Sequence, residues 1–200
     1  MKILGIVCSP RKRGNTEVLV KEVLDSARSY GAETEMIRAS DYTIAPCDGC
    51  ESCESTGKCK IKDDMQDIYT KLLNSDGIIF GSPVYYWGVT AQAKAIIDRT
   101  FVFRRERCLR NKVAGAVIVA RDTGASAAFS QLSDFFNLQR MIPARSISPR
   151  TVDELAKERG GGVIAYADKR GEVRENRKAM AEAHSLGRAM VETLQILSRK

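Results

Sequence analysis

One histidine, His184, in 200 residues leaves nothing to build a Ser-His-Asp triad or a histidine-held metal site, so hydrolase and histidine-metal chemistries are excluded. No apolar run approaches the ~20 residues of a membrane-spanning helix. The chain runs from Met1 straight into the strand-like residues 3–8, without the charged leader, apolar core and small-residue cleavage site of an export signal. The expectation is a soluble, cytoplasmic protein without a membrane partner. Neither a Gly-x-Gly-x-x-Gly fingerprint nor a Walker Lys-Ser/Thr ending is present, and repeats, low-complexity tracts and linkers are absent as well.

Hydrophobic residues at 44% and charged residues at 28% are those of a globular chain. Its length suits one compact domain spanning residues 1–200. The formal charge of +7 is spread over many segments, and no helix-turn-helix or basic stretch interleaved with aromatics accompanies it, so nucleic acid is not the expected partner. Six cysteines in a reducing compartment argue for metal or redox chemistry rather than disulfides, and four of them fall between Cys47 and Cys59.

Short apolar runs alternate with helical patterns, the signature of a parallel sheet covered on both faces. Strands are expected at 3–8, 33–39, 77–81, 113–120 and, poorly apolar, 141–148. Helices are expected at 16–30, capped by Asn15 or Thr16, at 65–73, capped by Asp63 or Asp64, and at 91–101 and 126–139. Residues 149–171, with three consecutive glycines at 160–162, read as an irregular excursion holding a short helix at 152–158. A long amphipathic helix through Ala179, Ala183, Leu186, Met190, Leu194 and Leu197, capped by Asn176, closes the chain; its stripe is core or an oligomer contact.

In a doubly wound, five-stranded sheet of order 2-1-3-4-5, the loops after strands 1, 3 and 4 meet at the carboxyl edge and hold the ligand. The first, Ser9-Pro10-Arg11-Lys12-Arg13-Gly14-Asn15-Thr16, offers hydroxyls, backbone N–H groups and positive charge to a phosphate at a helix start. An ordinary capped turn is the alternative. The second, Gly81-Ser82-Pro83-Val84-Tyr85-Tyr86-Trp87-Gly88, sets three aromatics and flexible glycines where a flat ring can pack, or else forms a hydrophobic lid or oligomer contact.

These two motifs resemble the NADPH-dependent FMN reductase superfamily, over roughly residues 1–145. The resemblance implies a flavodoxin-like fold and FMN. Ser9, Pro10, Arg11, Asn15 and Thr16 would lie at its phosphate, and Pro83, Val84, Tyr85, Tyr86, Trp87 and Gly88 along the isoalloxazine. Asp122, Thr123 and Gly124, in the third loop Ala120–Gly124, would touch the ring from its other side. Cys8, where relatives commonly have a small residue, is expected to be a buried strand cysteine.

Cys47-x2-Cys50-x2-Cys53-x5-Cys59, in the inserted loop 45–62, has the compact spacing with which ferredoxins wrap a cubane cluster. A structural zinc and a redox dithiol are the alternatives; zinc sites usually pair two separated Cys-x2-Cys knuckles, and a dithiol leaves two cysteines unexplained. With the flavin motifs, the pattern is similar to the iron–sulfur flavoprotein family. That resemblance implies FMN, a four-iron (4Fe-4S) cluster on these four cysteines, a homo-oligomer, dimer or tetramer, and electron traffic between the centres. The cysteine loop leaves the same sheet edge as the flavin loops, two strand spacings or roughly 10 Å away.

The expected partners are ferredoxin or another small carrier as donor and a small oxidant such as oxygen, peroxide or a quinone. The basic stretch 104–112 is a candidate dock for an acidic carrier, or else a solvated basic face or subunit contact, with Cys108 a bystander. The rival readings are an NAD(P)H-dependent FMN or quinone reductase with a four-cysteine zinc site, and a nucleic-acid-binding cluster sensor.

Overall fold

The computed structural model describes residues 1–144 and 161–199. Among the described residues, six strands form one parallel sheet: β1 (Lys2–Val7), β2 (Glu33–Arg38), β3 (Gly77–Pro83), β4 (Val113–Ala120), β5 (Ile142–Pro143) and β6 (Gly162–Tyr166). The order is β2-β1-β3-β4-β5, with β6 also paired to β4. The helices are α1 (Asn15–Ser29), α2 (Ser52–Thr56), α3 (Met65–Leu73), α4 (Ala91–Arg99), α5 (Ala125–Leu138) and α6 (Arg177–Ser198). Among the described residues, no helix is long and apolar enough to cross a membrane.

Every residue of β4 is buried, as a strand covered on both faces requires. On one side, Leu4, Ile6, Ile78, Phe80 and Ile118 meet α3, α4 and α5, where Phe80, Phe135 and Phe136 pack edge-on or tilted. On the other, Ile3, Val7, Ile79, Val117 and Val163 meet α1 and α6. Such a sheet sends all its crossovers out at one edge.

The fifth sheet position departs from the expectation of a single strand over 141–148. β5 pairs only Ile142 and Pro143 with Val113 and Ala114, and β6 takes over from Ala116↔Gly162 to Ala120↔Tyr166. Pro143 has no N–H to donate, so the ladder weakens there. The glycine run, read as irregular, instead opens a strand: any Cβ on Gly162 would run into the Phe129 ring and lie 3.0 Å from the Ala116 carbonyl. The short helix expected at 152–158 and the end of the strand expected at 145–148 lie outside the described residues.

One cap also differs. α1 starts from Gly14, without a side-chain cap, while the Glu17 carboxylate accepts from the Arg13 N–H at 2.8 Å. Asn15 is occupied elsewhere: its amide donates to the Lys169 carbonyl at 2.9 Å, and its Oδ1 accepts from Val173 N–H. At α3, Asp64 does not cap and accepts instead from Thr43 N–H at 2.7 Å, while Asp63, the other expected cap, accepts from Met65 N–H, the first amide of the helix, at 3.2 Å. Asn176 does cap α6, accepting from Ala179 N–H at 3.0 Å.

α6 lies against α1 with almost no gap. A Cβ at Gly187 would overlap the Val23 carbonyl and come within 2.7 Å of Ser26 Cβ, while the Ser26 hydroxyl donates to the His184 carbonyl at 2.6 Å. Gly187→Ala is therefore expected to destabilise the protein by about 1–3 kcal/mol through overpacking, despite alanine's better helix propensity. Denaturant melts of the two proteins check this, and equal or higher stability would refute the close contact.

Candidate functional site

The carboxyl ends of β1 and β3 are locked side by side. Cys8 N–H donates to the Gly81 carbonyl at 2.7 Å, and the buried Thr90 hydroxyl donates to the Cys8 carbonyl at 2.7 Å. Thr90 Oγ1 also caps α4 by accepting from Ala93 N–H, and its own N–H donates to Ser82 Oγ. One threonine thus fixes where the first loop, the aromatic loop and α4 begin. Cys8 is fully buried, as expected, and burial pushes its thiol up to about 12, so it stays neutral.

In the first loop, Ser9 Oγ accepts from Arg11 N–H at 3.2 Å. With no side chain at Gly14, the first amides of α1, from Asn15 onward, point out of the helix end without a capping group. Ser9, Asn15 and Thr16 are buried, Pro10 and Arg11 exposed. A Cβ at Gly81 would meet Val20 and Thr16, so α1 approaches the end of β3 as only glycine permits.

The aromatic loop is a tight hairpin. Tyr85 and Gly88 exchange both backbone hydrogen bonds at 3.0 Å, and the two residues between them, Tyr86 and Trp87, have φ of 45° and 64°. That is the geometry of a type I′ turn, where Asn-Gly is preferred. Two aromatics in the left-handed region carry strain of about 1–3 kcal/mol each. Tyr85, Tyr86 and Trp87 are all exposed, so packing within the chain does not repay that strain. The turn is buttressed from α5, whose Gln131 Oε1 accepts from Val89 N–H at 3.0 Å.

The third loop meets the second directly. Gly124 has φ of 80°, and a Cβ there would sit 2.9 Å from Trp87 Cα and 3.0 Å from Val84 Cγ1. Asp122 Oδ1 accepts from Thr123 N–H at 2.7 Å. Pro83–Gly88 and Asp122–Gly124 are thus brought together. A fourth wall, missed in the sequence, follows β6: Arg11 donates to the Asp168 carbonyl at 3.3 Å, and Arg121 pairs with the Asp168 carboxylate at 3.6 Å. With Asn15 holding Lys169 and Val173, residues 168–173 close over the first loop. No local pattern signals them, because their partners in the first loop lie 154 to 158 residues away.

The cysteine loop is tied at its two ends by one buried ion pair. Arg99, 2% exposed, forms a fork on Asp63, Nη1 to Oδ2 at 2.7 Å and Nη2 to Oδ1 at 2.9 Å. The same nitrogens donate to the carbonyls of Ala45 (2.9 Å) and Ile61 (3.4 Å), and Asp63 Oδ2 accepts from Ala45 N–H at 2.8 Å. Between the ends, Gly49, Glu51 and Gly57 take left-handed φ values that fold the loop around the single turn of α2.

Cys53, in α2, and Cys59 pack against the apolar layer, whereas Cys47 and Cys50 face solvent. Burial pushes the Cys53 thiol up, and Cys59, Cys50 and Cys47 stand near enough to add like-charge repulsion. Four cysteine thiols suit soft, thiolate-bound metals in kind. Among the described residues, no three His, Cys, Asp or Glu side chains are already gathered so as to hold an ion. The basic stretch lies against this loop: Arg105 donates to the Glu54 carbonyl at 2.9 Å, Arg104 pairs with its carboxylate at 3.5 Å, and Cys108 is part-buried.

Burial tends to raise the Asp63 carboxyl, but the Arg99 fork and the Ala45 and Met65 amides outweigh it and hold it below the usual carboxylate range. A depressed folded pKa stabilises fully above the unfolded value of about 4 and is lost as pH falls through the folded one. Asp63→Asn is therefore expected to be less stable than wild type at neutral pH, with the gap closing toward about pH 3. Urea melts along that range check it; a constant gap would refute the ionic link.

The model of the NADPH-dependent FMN reductase family matches residues 1–150. An iron–sulfur flavoprotein of Methanocaldococcus jannaschii is 37% identical over 201 residues, covering 100% of both chains. Another, from Methanosarcina thermophila, is 39% identical over 145 residues, 71% of this chain and 76% of its own. In fold, RosB, solved with the bound intermediate 8-demethyl-8-formylriboflavin-5'-phosphate, superposes with a TM-score of 0.76 at 16% identity, over 100% of this chain and 81% of RosB. An archaeal flavodoxin superposes with a TM-score of 0.61 at 14% identity, over 98% of this chain and 99% of its own. A flavodoxin-like sheet, flavin-type loops at one edge and a tethered four-cysteine loop accompany these likenesses: the chain belongs to the NADPH-dependent FMN reductase family and, within it, to the iron–sulfur flavoproteins.

Proposed function

We propose that this chain is an electron-transfer flavoprotein that binds FMN in the crevice at the carboxyl edge and a 4Fe-4S cluster on Cys47, Cys50, Cys53 and Cys59. A cluster exchanges single electrons and a flavin one or two, so a chain holding both converts single-electron delivery into two-electron reduction of a small oxidant. The observation that carries this reading is the four-thiol loop, set by the Arg99–Asp63 fork at the sheet edge that also bears the flavin-type loops. The full-length relative named as an iron–sulfur flavoprotein supports it.

The chain's own residues supply binding and orientation. Ser9, Arg11, Thr16 and the uncapped amides of α1 offer a phosphate hydroxyls, charge and N–H donors. Asn15 serves by holding residues 168–173 against that loop. The strained Tyr86-Trp87 turn, with Tyr85, Val84 and Gly88, presents aromatic faces to a flat ring, and the Asp122–Gly124 loop sets its position.

A second reading, an NAD(P)H-dependent quinone reductase with zinc on the four cysteines, draws on a 35% identical relative named NAD(P)H dehydrogenase (quinone), matched over 54% of this chain. Metal content separates the two. Protein purified without air is expected to be brown and to contain about four irons and four sulfides per flavin. Zinc with flavin would favour the reductase, and a colourless chain lacking both centres would end the proposal.

The donor is proposed to be a small acidic carrier such as ferredoxin, docking where Arg104 and Arg105 flank α2. Replacing Arg104, Arg105 and Arg107 by Glu is expected to slow reduction by ferredoxin at low salt by about tenfold or more while leaving dithionite reduction unchanged. An unchanged ferredoxin rate would remove this surface as the dock.

A further inference from the structure

An arginine side chain carries five N–H donors, and four of those on Arg99 are accounted for. Nη1 donates to the Ala45 carbonyl and Asp63, and Nη2 to Asp63 and the Ile61 carbonyl. The fifth, on Nε, is buried and has no acceptor among the described residues. A charged donor taken out of water and left unpaired is destabilising, so the site as built calls for an acceptor. Tyr69 stands beside the guanidinium with its hydroxyl donating to the backbone carbonyl of Arg99 itself at 2.9 Å, and Nε makes no hydrogen bond to it. Asp63 is fully engaged by the fork and the loop amides. Cys59 packs on the same apolar layer as Tyr69, beside Arg99.

We propose that Arg99 is the positioning residue of the cysteine loop: its fork fixes the two ends of residues 45–63, and its remaining Nε–H is the donor kept for a sulfur acceptor on the Cys59 side of the bound cluster. The second half rests on the cluster reading above; the first holds for the metal-free chain. A fixed guanidinium and an N–H donor beside a cluster favour the more negative, reduced form, so Arg99 raises the reduction potential. No single element shows this role in the sequence. Arg99 ends α4, a helix otherwise concerned with the core, and reaches a loop that begins 54 residues earlier.

The test compares wild type with Arg99→Gln, which removes the charge and most of the fork, and Arg99→Lys, which keeps the charge and loses the fork. In metal-free protein, alkylation of each cysteine is followed by mass spectrometry. Arg99→Gln is expected to speed the labelling of part-buried Cys53 and Cys59 several-fold, with exposed Cys47 and Cys50 little changed. After anaerobic reconstitution, it is expected to hold less iron and sulfide per flavin and to show a lower midpoint potential. Arg99→Lys, which keeps the charge but loses the Nε–H donor, should show a potential between those of Arg99→Gln and wild type while its cysteines label faster. Flavin occupancy, set by distant loops, reports that each variant is folded. If Arg99→Gln does not fold, Asp63→Asn, which loosens the fork and retains Arg99, carries the labelling comparison. Wild-type labelling rates, iron content and potential in Arg99→Gln would overturn the proposal. A wild-type chain that takes up zinc but no iron or sulfide would overturn the cluster reading and the sulfur-donor role, while the labelling rates would still decide the loop-fixing role.

Discussion

A parallel sheet delivers the start of every crossover to the same edge, and the chemistry of this protein follows from that constraint. The bonds from Cys8 N–H to Gly81 and from Thr90 to Cys8 hold two central strand ends together, so three loops distant in sequence open side by side. Nothing in those loops needs to be rigid by itself. Thr90, Gln131 and Asn15 each connect one loop to a neighbouring element, and glycines at 81 and 124 let backbone and side chains approach within a methyl group's width.

The same edge carries two sites of opposite construction. The crevice is open: its aromatics are exposed, one turn is strained, and its helix start lacks a side-chain cap. Such features cost stability and persist where a ligand uses them. The cysteine loop has little regular structure of its own and depends on a buried ion pair. A fork of this kind does more for specificity than for net stability, because desolvating both ions offsets much of their attraction. Its value here is geometric. It converts an 18-residue separation between Ala45 and Asp63 into a closed loop that carries all four cysteines.

Likeness to other proteins reaches different depths in the two sites. Neighbours at 14–16% identity share the flavodoxin-like sheet and speak only to fold. The relatives at 37–39% identity share the family and the name iron–sulfur flavoprotein. The packing of the basic stretch 104–112 against α2, the closure by residues 168–173 and the Arg99 fork are read from this chain's own contacts.

The alternating architecture, the strand order expected of it, the two flavin-type motifs and the four-cysteine spacing were legible along the chain. Each of these is written in periodicity or in residues near one another along the chain. Expectations failed where packing overrode local preference: Gly162 enters a strand because nothing larger fits beneath Phe129, and Asn15 gives up its cap to hold a distant segment. Residues 168–173 over the first loop and Arg99 under the cysteine loop were decided by tertiary structure alone. Their partners lie 154 and 54 residues away, and no local pattern encodes a hydrogen bond that exists only once the sheet has brought its edges together.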